Sequence, residues 1–290
     1  MNIDTLLLSG GGAKITLQVG ALKYLIENNI INVDYSNIKK FITCSCGSIL
    51  GLLMSINMNI NVIEKILINM NYLKLFNLDD LDDLLLNNGL FTTNICSQFL
   101  KKCLSEYSID ENINLIDFYN KTNKELYIKV YNLTKQKTEY FSYHNNPNIK
   151  VIDAILISCN IPIVFKPIYW NNQYYVDGGI SGNNVDNLEN NNYINLYIEP
   201  EIINYKNNMN FLLYLLCIYQ NVNLNNELIL YNKKETDKVI VLKPPNGSIP
   251  FDFSISNDDK AIFINIGYDI CKNHLDKHST NGPDPLQLKS

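Results

Sequence analysis

The sequence lacks an excess of basic residues. It has 24 lysines and arginines against 29 aspartates and glutamates, which gives a formal net charge of −5. Proteins that bind nucleic acid usually carry a basic patch or stripe, so we expect no nucleic-acid partner. The same charge disfavours attraction to an anionic membrane, and any membrane contact is expected to be local and apolar.

Long hydrophobic segments are also absent. The chain begins Met1-Asn2-Ile3 without a basic region, and its first apolar run ends at Leu8, so we predict no secretory signal. The longest apolar stretch, Phe211 to Tyr219, is too short to span a bilayer. The seven cysteines are odd in number and follow no regular spacing, which is typical of reduced thiols in a cytosolic protein. We expect a soluble, cytoplasmic protein with peripheral membrane contact.

The composition favours Asn, Ile, Leu, Lys and Tyr, which have A/T-rich codons. This bias indicates an A/T-rich source genome, such as that of a large DNA virus, and says little about the fold. Residues 278–290 depart from it and contain Gly282, Pro283 and Pro285, so we expect a disordered tail or an expression scar there. Residues 1–277 are long enough for a buried core and are expected to form a single domain.

Strands and helices alternate along the first sixty residues. Thr5–Ser9 and Ile38–Cys44 are typical of short buried strands. The apolar spacing within Ile15–Ile26 and Ile49–Ile56 predicts a helix after each of them. This alternation predicts an α/β protein with a mainly parallel sheet and right-handed crossovers.

The rest of the chain is less regular. The middle, Asn57–Asn123, is mostly helical in period but polar, and its acidic run Asp79–Asp83 favours a solvated face or helix start over a cation site. Further elements are a β-hairpin (125–133 and 137–143), a helix (149–160), strands (174–176 and 193–198) and a helix that begins with a Ser256–Asp259 capping box and ends near Asn273.

A glycine-rich segment, Ser9-Gly10-Gly11-Gly12-Ala13-Lys14, joins the first strand to the first helix. Its bare N–H groups, with the helix N-terminus, suit a phosphate or an oxyanion formed during a reaction. It lacks the Lys-Ser/Thr ending of a P-loop and the third glycine of a dinucleotide fingerprint. Taken alone, a tight glycine turn explains it equally well.

A second strand-to-helix turn is Thr43-Cys44-Ser45-Cys46-Gly47. Serine on such a sharp turn is exposed at the sheet edge, as in the nucleophile elbow written G-x-S-x-G. The alternative is that Ser45 only caps the next helix. Cys44 and Cys46 have no second pair in register, so small buried neighbours are favoured over a metal pair.

A third segment, Asp177-Gly178-Gly179, follows a strand and by itself is typical of a turn. A hydrolytic serine, however, needs a base within hydrogen-bond reach. None of the three histidines, His144, His274 and His278, lies in a convincing motif. Burial would raise the pKa of an aspartate from its ordinary value of about 4 and make it a better base, so Asp177 is our candidate.

In this order, Gly10–Lys14, Ser45 and Asp177–Gly179 resemble the motifs of the patatin-like phospholipases. The resemblance extends to Gln18–Leu22 after the loop. It also includes Ser158–Pro167, which is similar to the family's small-x-x-Ile-Pro-x-x-Phe-x-Pro stretch. Several separate motifs in the family's order are far more specific than any one of them, and together they span roughly residues 5–197.

The resemblance implies a three-layer α/β fold with helices on both faces of the sheet. It implies hydrolysis of fatty-acyl esters by a Ser45–Asp177 dyad without histidine, at a membrane phospholipid or other acyl-lipid interface, with no metal or other cofactor. The implied oxyanion hole is the loop Gly10–Ala13, with the N–H groups of Gly11 and Gly12 as its main donors. Supporting positions are Lys14, which fixes the loop or meets a head-group phosphate, and Gly47, Gly178 and Gly179.

Two positions depart from the family's pattern, which usually has glycine where Ile15 and Thr43 stand. Ile15 is expected to pack the first helix against the sheet, whereas the bulk of Thr43 is expected to affect the angle of the turn. Because Ser45, Asp177 and the loop glycines are present, we predict an active enzyme. A catalytically weak or inactive lipid-binding relative is the alternative.

Two other classes of protein remain open. A nucleotide-binding α/β protein could use the glycine loop, and a Ser-His-Asp hydrolase could use His144 as its base. The sequence does not fix the head group, the ester bond that is cut or the oligomeric state. The irregular segment Asn57–Asn123 is our candidate for a lid or an acyl-chain wall.

Overall fold

The chain folds around a mixed, largely parallel β-sheet. The structure, a computed structural model, describes residues 3–72, 89–91, 93–186, 188, 192–200, 214, 217, 238–245 and 254–279. The strands are β1 (Thr5–Leu8), β2 (Lys40–Cys44), β3 (Gly89–Phe91), β4 (Glu125–Asn132), β5 (Lys137–Phe141), β6 (Ile163–Phe165), β7 (Ile168–Trp170), β8 (Gln173–Asp177), β9 (Tyr193–Ile198) and β10 (Val239–Leu242). The helices are α1 (Ile15–Glu27), α2 (Cys46–Ser55), α3 (Ile60–Asn69), α4 (Asn94–Glu106), α5 (Leu115–Thr122), α6 (Val151–Ser158) and α7 (Asn257–Ser279).

Within the described residues the main sheet has eight strands in the order β10-β9-β1-β2-β4-β8-β7, with β5 also paired to β4. The five strands from β10 to β4 are parallel to their neighbours. Strands β5, β7 and β8 pair antiparallel. The predicted α/β class and mainly parallel sheet are confirmed, and β4–β5 is the predicted hairpin.

Strand β4 brings the ends of two other strands together. Its residue Ile128 pairs with β2 and with β5, so those two strands lie on opposite edges of β4. Val130 pairs with β5 and with β8, so β8 shares the edge that β2 occupies. Strand β2 ends with Cys44 opposite Lys129, and β8 arrives from the other direction and ends with Asp177 opposite Val130. The two strand ends therefore meet.

The two faces of the sheet have different surroundings. Alternation along β1 points Leu6 and Leu8 into the large core cluster, to which the apolar faces of α1, α2, α3 and α6 contribute. Leu7 points the other way, into a smaller cluster with Ile42, Tyr127 and others. Both faces of the central strands are buried, as expected for parallel strands that read as continuous apolar runs.

Helices α1 and α7 contact each other through their backbones. A Cβ on Gly20 would lie 1.8 Å from the carbonyl oxygen of Ile264, and a Cβ on Gly267 would lie 2.0 Å from that of Leu17. Side chains larger than hydrogen at these two positions would therefore push the helices apart. This close crossing holds the C-terminal helix against the helix that follows the glycine loop.

Several predicted boundaries need correction. Helix α7 begins at the predicted capping box, in which the Ser256 hydroxyl accepts from the N–H of Asp259, but it continues past Asn273 to Ser279. Leu275, packed against the core, and the contact with α1 extend it into the start of the predicted tail at 278. The acidic run 79–83 and residues 280–290 lie outside the described residues, as do most of 211–219. Among described helices, none is long and apolar enough to cross a bilayer.

Replacing Gly20 by alanine should destabilise the protein. Alanine favours the helix by about 1 kcal/mol, but its Cβ would overlap the Ile264 carbonyl, and overpacking of this kind costs about 1–3 kcal/mol or more. Urea unfolding of Gly20→Ala should therefore show a lower midpoint. The control is Asn273→Ala on the exposed face of α7, expected within about 0.5 kcal/mol of wild type. A Gly20→Ala protein as stable as wild type would contradict the close backbone contact between α1 and α7.

Candidate active site

Ser45 lies on a strained turn between β2 and α2. Its backbone has φ 49° and ψ −128°, a region that costs a residue with a side chain about 1–3 kcal/mol. Gly47 permits the turn because a Cβ there would lie 2.4 Å from the carbonyl oxygen of Leu8. Although Ser45 is at the N-cap position of α2, its side chain does not cap the helix. The capping alternative is therefore not what the structure shows.

The side chain of Ser45 instead contacts Asp177. The Ser45 Oγ donates to Asp177 Oδ2 across 2.7 Å, and both residues are buried, at 7% and 3% exposure. The second carboxylate oxygen, Oδ1, accepts from the N–H of Gly179 at 2.7 Å. The N–H of Asp177 donates to the Asn160 carbonyl at 2.9 Å. The carboxylate is thus oriented with one oxygen toward the serine hydroxyl.

Burial raises the pKa of Asp177 to about 6. The hydrogen bonds from Ser45 and Gly179 and the charge of Lys129 lower it, but less than burial raises it. The carboxylate is therefore mostly ionised at neutral pH and still a better proton acceptor than an exposed aspartate.

A hydroxyl network that was not predicted from the sequence holds the turn. Ser158, the last residue of α6, donates through Oγ to the Lys129 carbonyl at 2.7 Å. The same oxygen accepts from the N–H of Ser45 at 2.9 Å. Ser48 Oγ lies 3.2 Å away and must be the donor of that pair, because the Ser158 proton is already used. Ser158 thus ties the strained backbone of Ser45 to strand β4.

Thr43, one of the two departures from the family pattern, joins this network. Its Oγ1 donates at 3.0 Å to Ser48 Oγ, with the Tyr127 carbonyl at 3.3 Å as an alternative acceptor. Its methyl group has room because residue 51 of α2 is glycine, where a Cβ would lie only 2.8 Å from Thr43 Cγ2. The extra bulk is therefore taken up on the helix side of the turn, and Ser45 still reaches Asp177.

Lys129 is a second residue that was missed. It is a lysine in the middle of an alternating strand and only 4% exposed. Its Nζ donates to the carbonyls of Gly182 at 2.8 Å and Asn184 at 2.7 Å, which fixes the loop that follows Asp177. Gly178 allows this approach, since a Cβ there would lie 2.5 Å from the Lys129 carbonyl oxygen. In the sequence Lys129 alternates with the apolar residues Ile128 and Val130, so the pattern gave no signal that its side chain would be buried.

The glycine loop lies beside the Ser45 turn. Gly12 has a φ of +57°, which glycine adopts without strain. Burial raises the pKa of the Cys46 thiol to about 12, and the nearby backbone of Gly12, Gly11 and Gly47 opposes this rise. The backbone of Gly11 and Gly12 therefore lies next to Cys46, the residue that follows Ser45. Ala13, the third expected donor, lies in the short 3₁₀ turn that leads into α1.

Gly10 requires a correction, because its amide is not available as an oxyanion donor. Its N–H donates to the Asn183 carbonyl at 3.0 Å. Its lack of a side chain leaves space for Ser45, whose Cβ would lie 3.3 Å from a Cβ on Gly10. Lys14 is 7% exposed, which favours its expected role in fixing the loop over contact with a head group.

An apolar cavity of about 100 Å³ opens at Ser45. Its lining is almost entirely apolar and comes from the glycine loop, α2, α4 and the ends of α3 and α6. The residues are Gly12, Ala13, Ile15, Ser45, Cys46, Ile49, Leu67, Met70, Tyr72, Cys96, Phe99, Cys159, Ile161 and Phe165. Ile15, the second departure from the family pattern, thus packs in the core, as expected, and also forms part of this wall.

The histidines lie elsewhere. His144 follows β5, which runs antiparallel to β4 and away from Ser45, and its ring lies 3.8 Å from that of Tyr143. His274 and His278 belong to α7. Among these candidate bases, the structure therefore places only Asp177 against the serine.

Comparison with known proteins identifies a matching family and two viral relatives. The profile of the family described as Patatin-like phospholipase matches residues 6–186. A protein of Invertebrate iridescent virus 6, named a probable lipid hydrolase, is 33% identical over 181 residues, which are 62% of this chain and 60% of that protein. An uncharacterized protein of Acanthamoeba polyphaga mimivirus is 27% identical over 188 residues, 61% of this chain and 58% of that protein. The match thus spans about three fifths of either relative.

Two solved structures share the fold. VipD from Legionella pneumophila has a TM-score of 0.56 and 16% identity, covering 96% of this chain and 67% of its own. The type III effector protein ExoU has a TM-score of 0.54 and 16% identity, covering 95% of this chain and 53% of its own. At this identity the likeness concerns the fold alone. The two viral relatives come from large DNA viruses, the kind of source that the codon bias indicated.

Asp177→Asn should stabilise the protein at neutral pH. Burial makes the folded-state pKa higher than the unfolded value of about 3.9, so folding binds a proton between about pH 4 and 6, and stability falls as the pH rises through that window. The neutral amide avoids this cost, which is up to about 3 kcal/mol above pH 6 for a shift of about two units. Urea unfolding at pH 7.5 should show the gain, and it should shrink toward pH 4.

The control for this prediction is Asp269→Asn on the exposed face of α7, expected within about 0.5 kcal/mol of wild type at every pH. A gain for Asp177→Asn that is independent of pH, or a loss at pH 7.5, would contradict a raised pKa at Asp177.

Proposed function

The chain belongs to the patatin-like phospholipase family, and from this premise we propose that it is a lipid acyl hydrolase of the phospholipase A type. The observation that carries the proposal is the 2.7 Å hydrogen bond from Ser45 Oγ to Asp177 Oδ2 at the opening of an apolar cavity. The hydrolase name of the iridescent virus relative agrees with it.

In the proposed reaction, Ser45 Oγ attacks the carbonyl carbon of a fatty-acyl ester while its proton passes to Asp177. The tetrahedral intermediate then collapses, and the leaving alcohol takes that proton. Water then attacks the acyl-enzyme while its proton passes to Asp177. As the second intermediate collapses, Asp177 returns that proton to Ser45 Oγ and the fatty acid leaves. The raised pKa of Asp177 suits it to both transfers.

The oxyanion of each tetrahedral intermediate is assigned to the amides of Gly11, Gly12 and Ala13. The backbone of Gly11 and Gly12 lies next to Cys46, the neighbour of Ser45. Fixed donors need no rearrangement as charge develops, and the loss of one typically costs about 3–4 kcal/mol of barrier. The contact of the Gly10 amide with Asn183 keeps the loop in place for this role.

The acyl chain of the substrate is assigned to the cavity. Its walls offer methyl groups, aromatic rings and sulfur atoms and few polar partners, which matches a hydrocarbon chain. An apolar protein cavity of about 150 Å³ binds benzene without water, so a cavity of about 100 Å³ suits a short stretch of chain next to the ester.

The first test uses a fluorophosphonate probe and a digest of mixed phospholipids and neutral glycerides followed by mass spectrometry. The wild type should be labelled and should release fatty acids, and the products would identify the head group and the bond that is cut. Ser45→Ala and Asp177→Asn should lose at least about 10³-fold in rate, because each removes a reacting group. His144→Ala should retain turnover.

Each other outcome has a definite meaning. A wild type that binds lipid vesicles but is neither labelled nor active would support the inactive lipid-binding alternative. Loss of turnover in His144→Ala with full turnover in Asp177→Asn would replace the dyad with a histidine base.

The second test narrows the cavity. Cys96 lies in its wall on α4, so Cys96→Trp should lower hydrolysis of sixteen-carbon acyl esters about tenfold or more relative to four-carbon esters. The matched control is Gln98→Trp, two residues along the same helix and exposed, which should leave the ratio unchanged. An unchanged ratio in Cys96→Trp would remove the cavity from substrate binding.

A further inference from the structure

Two turns project beyond the Ser45–Asp177 pair at the same end of the sheet. Strand β4 runs parallel to β2 but continues past its end, so Leu133 lies three residues, or about 10 Å, beyond the position opposite Asp177. The β7–β8 hairpin reaches the same level, because β8 runs toward Asp177 from its turn at Asn171-Asn172. We call residues 133–137 and 169–174 together the hairpin tip.

One face of the hairpin tip carries a row of exposed apolar side chains. Tyr169 pairs with Tyr174 across the hairpin, and the Leu133 N–H donates to the Tyr174 carbonyl at 2.8 Å. Residues paired across strands point to the same face, so the three side chains form one row. They are 57%, 51% and 37% exposed, and the two tyrosine rings lie 4.9 Å apart.

The opposite face of the hairpin tip is anchored in the protein. Trp170 packs against Phe141 with ring centroids 5.3 Å apart, and Tyr175 packs against the same ring at 5.1 Å. Asn171 and Asn172 both have positive φ, as in the tight type I′ turn of a rigid hairpin. The exposed row is therefore presented on a fixed scaffold.

The charge of the tip is opposite to that of the whole chain. Lys135 and Lys137 have side chains that are 48% and 58% exposed, and both lie within 4 Å of one carboxylate, that of Glu139, which is 19% exposed. The two lysines of the tip and the neighbouring Glu139 together carry one positive charge in excess, although the chain has a net charge of −5. Tyrosine rings beside lysines match the layering of a bilayer surface, where apolar chains lie beneath phosphates.

We propose that the hairpin tip docks the protein on the surface of a phospholipid bilayer, with Tyr169 and Tyr174 inserted at the level of the head groups. This inference rests on the proposed function, because a lipid hydrolase must meet its substrate at such a surface. The position of the tip, on the same end of the sheet as Ser45, would bring the candidate active site to the membrane.

The experiment is flotation of the full chain with phosphatidylcholine vesicles. The protein carries Ser45→Ala, so that it does not consume the lipid. In this background, the double variant Tyr169→Ser/Tyr174→Ser should show a partition coefficient that is at least about tenfold lower. The matched control is Val33→Ser/Ile262→Ser, which removes two side chains that are 64% and 50% exposed elsewhere and should bind as before. Thermal unfolding would establish that each variant is folded.

The single tryptophan of the chain reports on the same contact. Trp170 follows Tyr169, so brominated lipid should quench its emission when the tip is docked. Failure of the Ser45→Ala protein to bind, equal binding by both double variants, or absence of quenching would overturn the proposal. So would a dimer in solution that the tyrosine variant dissociates, because the row would then be covered by a second copy.

A separate readout distinguishes this inference from the proposed function. Fluorophosphonate labelling and hydrolysis of a water-soluble short-chain ester do not need a bilayer. If the wild type fails in both while the tip still docks, the hydrolase proposal is wrong and the docking surface stands. If both succeed but vesicle binding does not depend on the tyrosines, only the docking proposal is wrong.

Discussion

The candidate site depends on the edge of strand β4 that receives two strands from opposite directions. Parallel pairing brings β2 to an end at Lys129, and antiparallel pairing brings β8 to an end at Val130. The residues at those ends, Ser45 and Asp177, are 132 positions apart in the chain and yet share a hydrogen bond. A shift of one residue in either pairing would also turn the side chains to the other face, so the register of β4 determines whether the pair exists.

The burial of Asp177 favours its proposed role as a base but lowers the stability of the folded protein. It raises the pKa of Asp177 to about 6, which improves the carboxylate as a base near neutral pH. The same burial makes the ionised form costly, and Lys129, itself buried, only partly offsets that cost. Ser45 adds backbone strain at the adjacent position. The protein thus concentrates unfavourable local energies where the proposed chemistry occurs, and the large core has to compensate for them.

The local parts of this arrangement could be predicted from the sequence, and the long-range parts could not. The Ser45 turn, the glycine loop and the β4–β5 hairpin are set by residues close in sequence, whose period and turn chemistry are visible. The contact of Ser158 with Ser45 joins residues 113 positions apart, and its purpose appears only once β4 is in place. The length of α7 was underestimated for the same reason, because its added turns contain Leu275, which packs against a core built from distant parts of the chain.

Thr43 shows why a departure from a motif has to be judged together with its neighbours in space. Glycine at that position would leave the turn unobstructed, and threonine introduces both a methyl group and a hydroxyl. The methyl group lies against Gly51 of α2, where any side chain would collide with it. The hydroxyl reaches Ser48 and so adds to the network that ends at Ser158 and the N–H of Ser45. In the family pattern, glycine at the position of Thr43 leaves room at the end of the strand. Here Gly51 of α2 provides that room, and the hydroxyl of Thr43 adds hydrogen bonds that hold the strained turn.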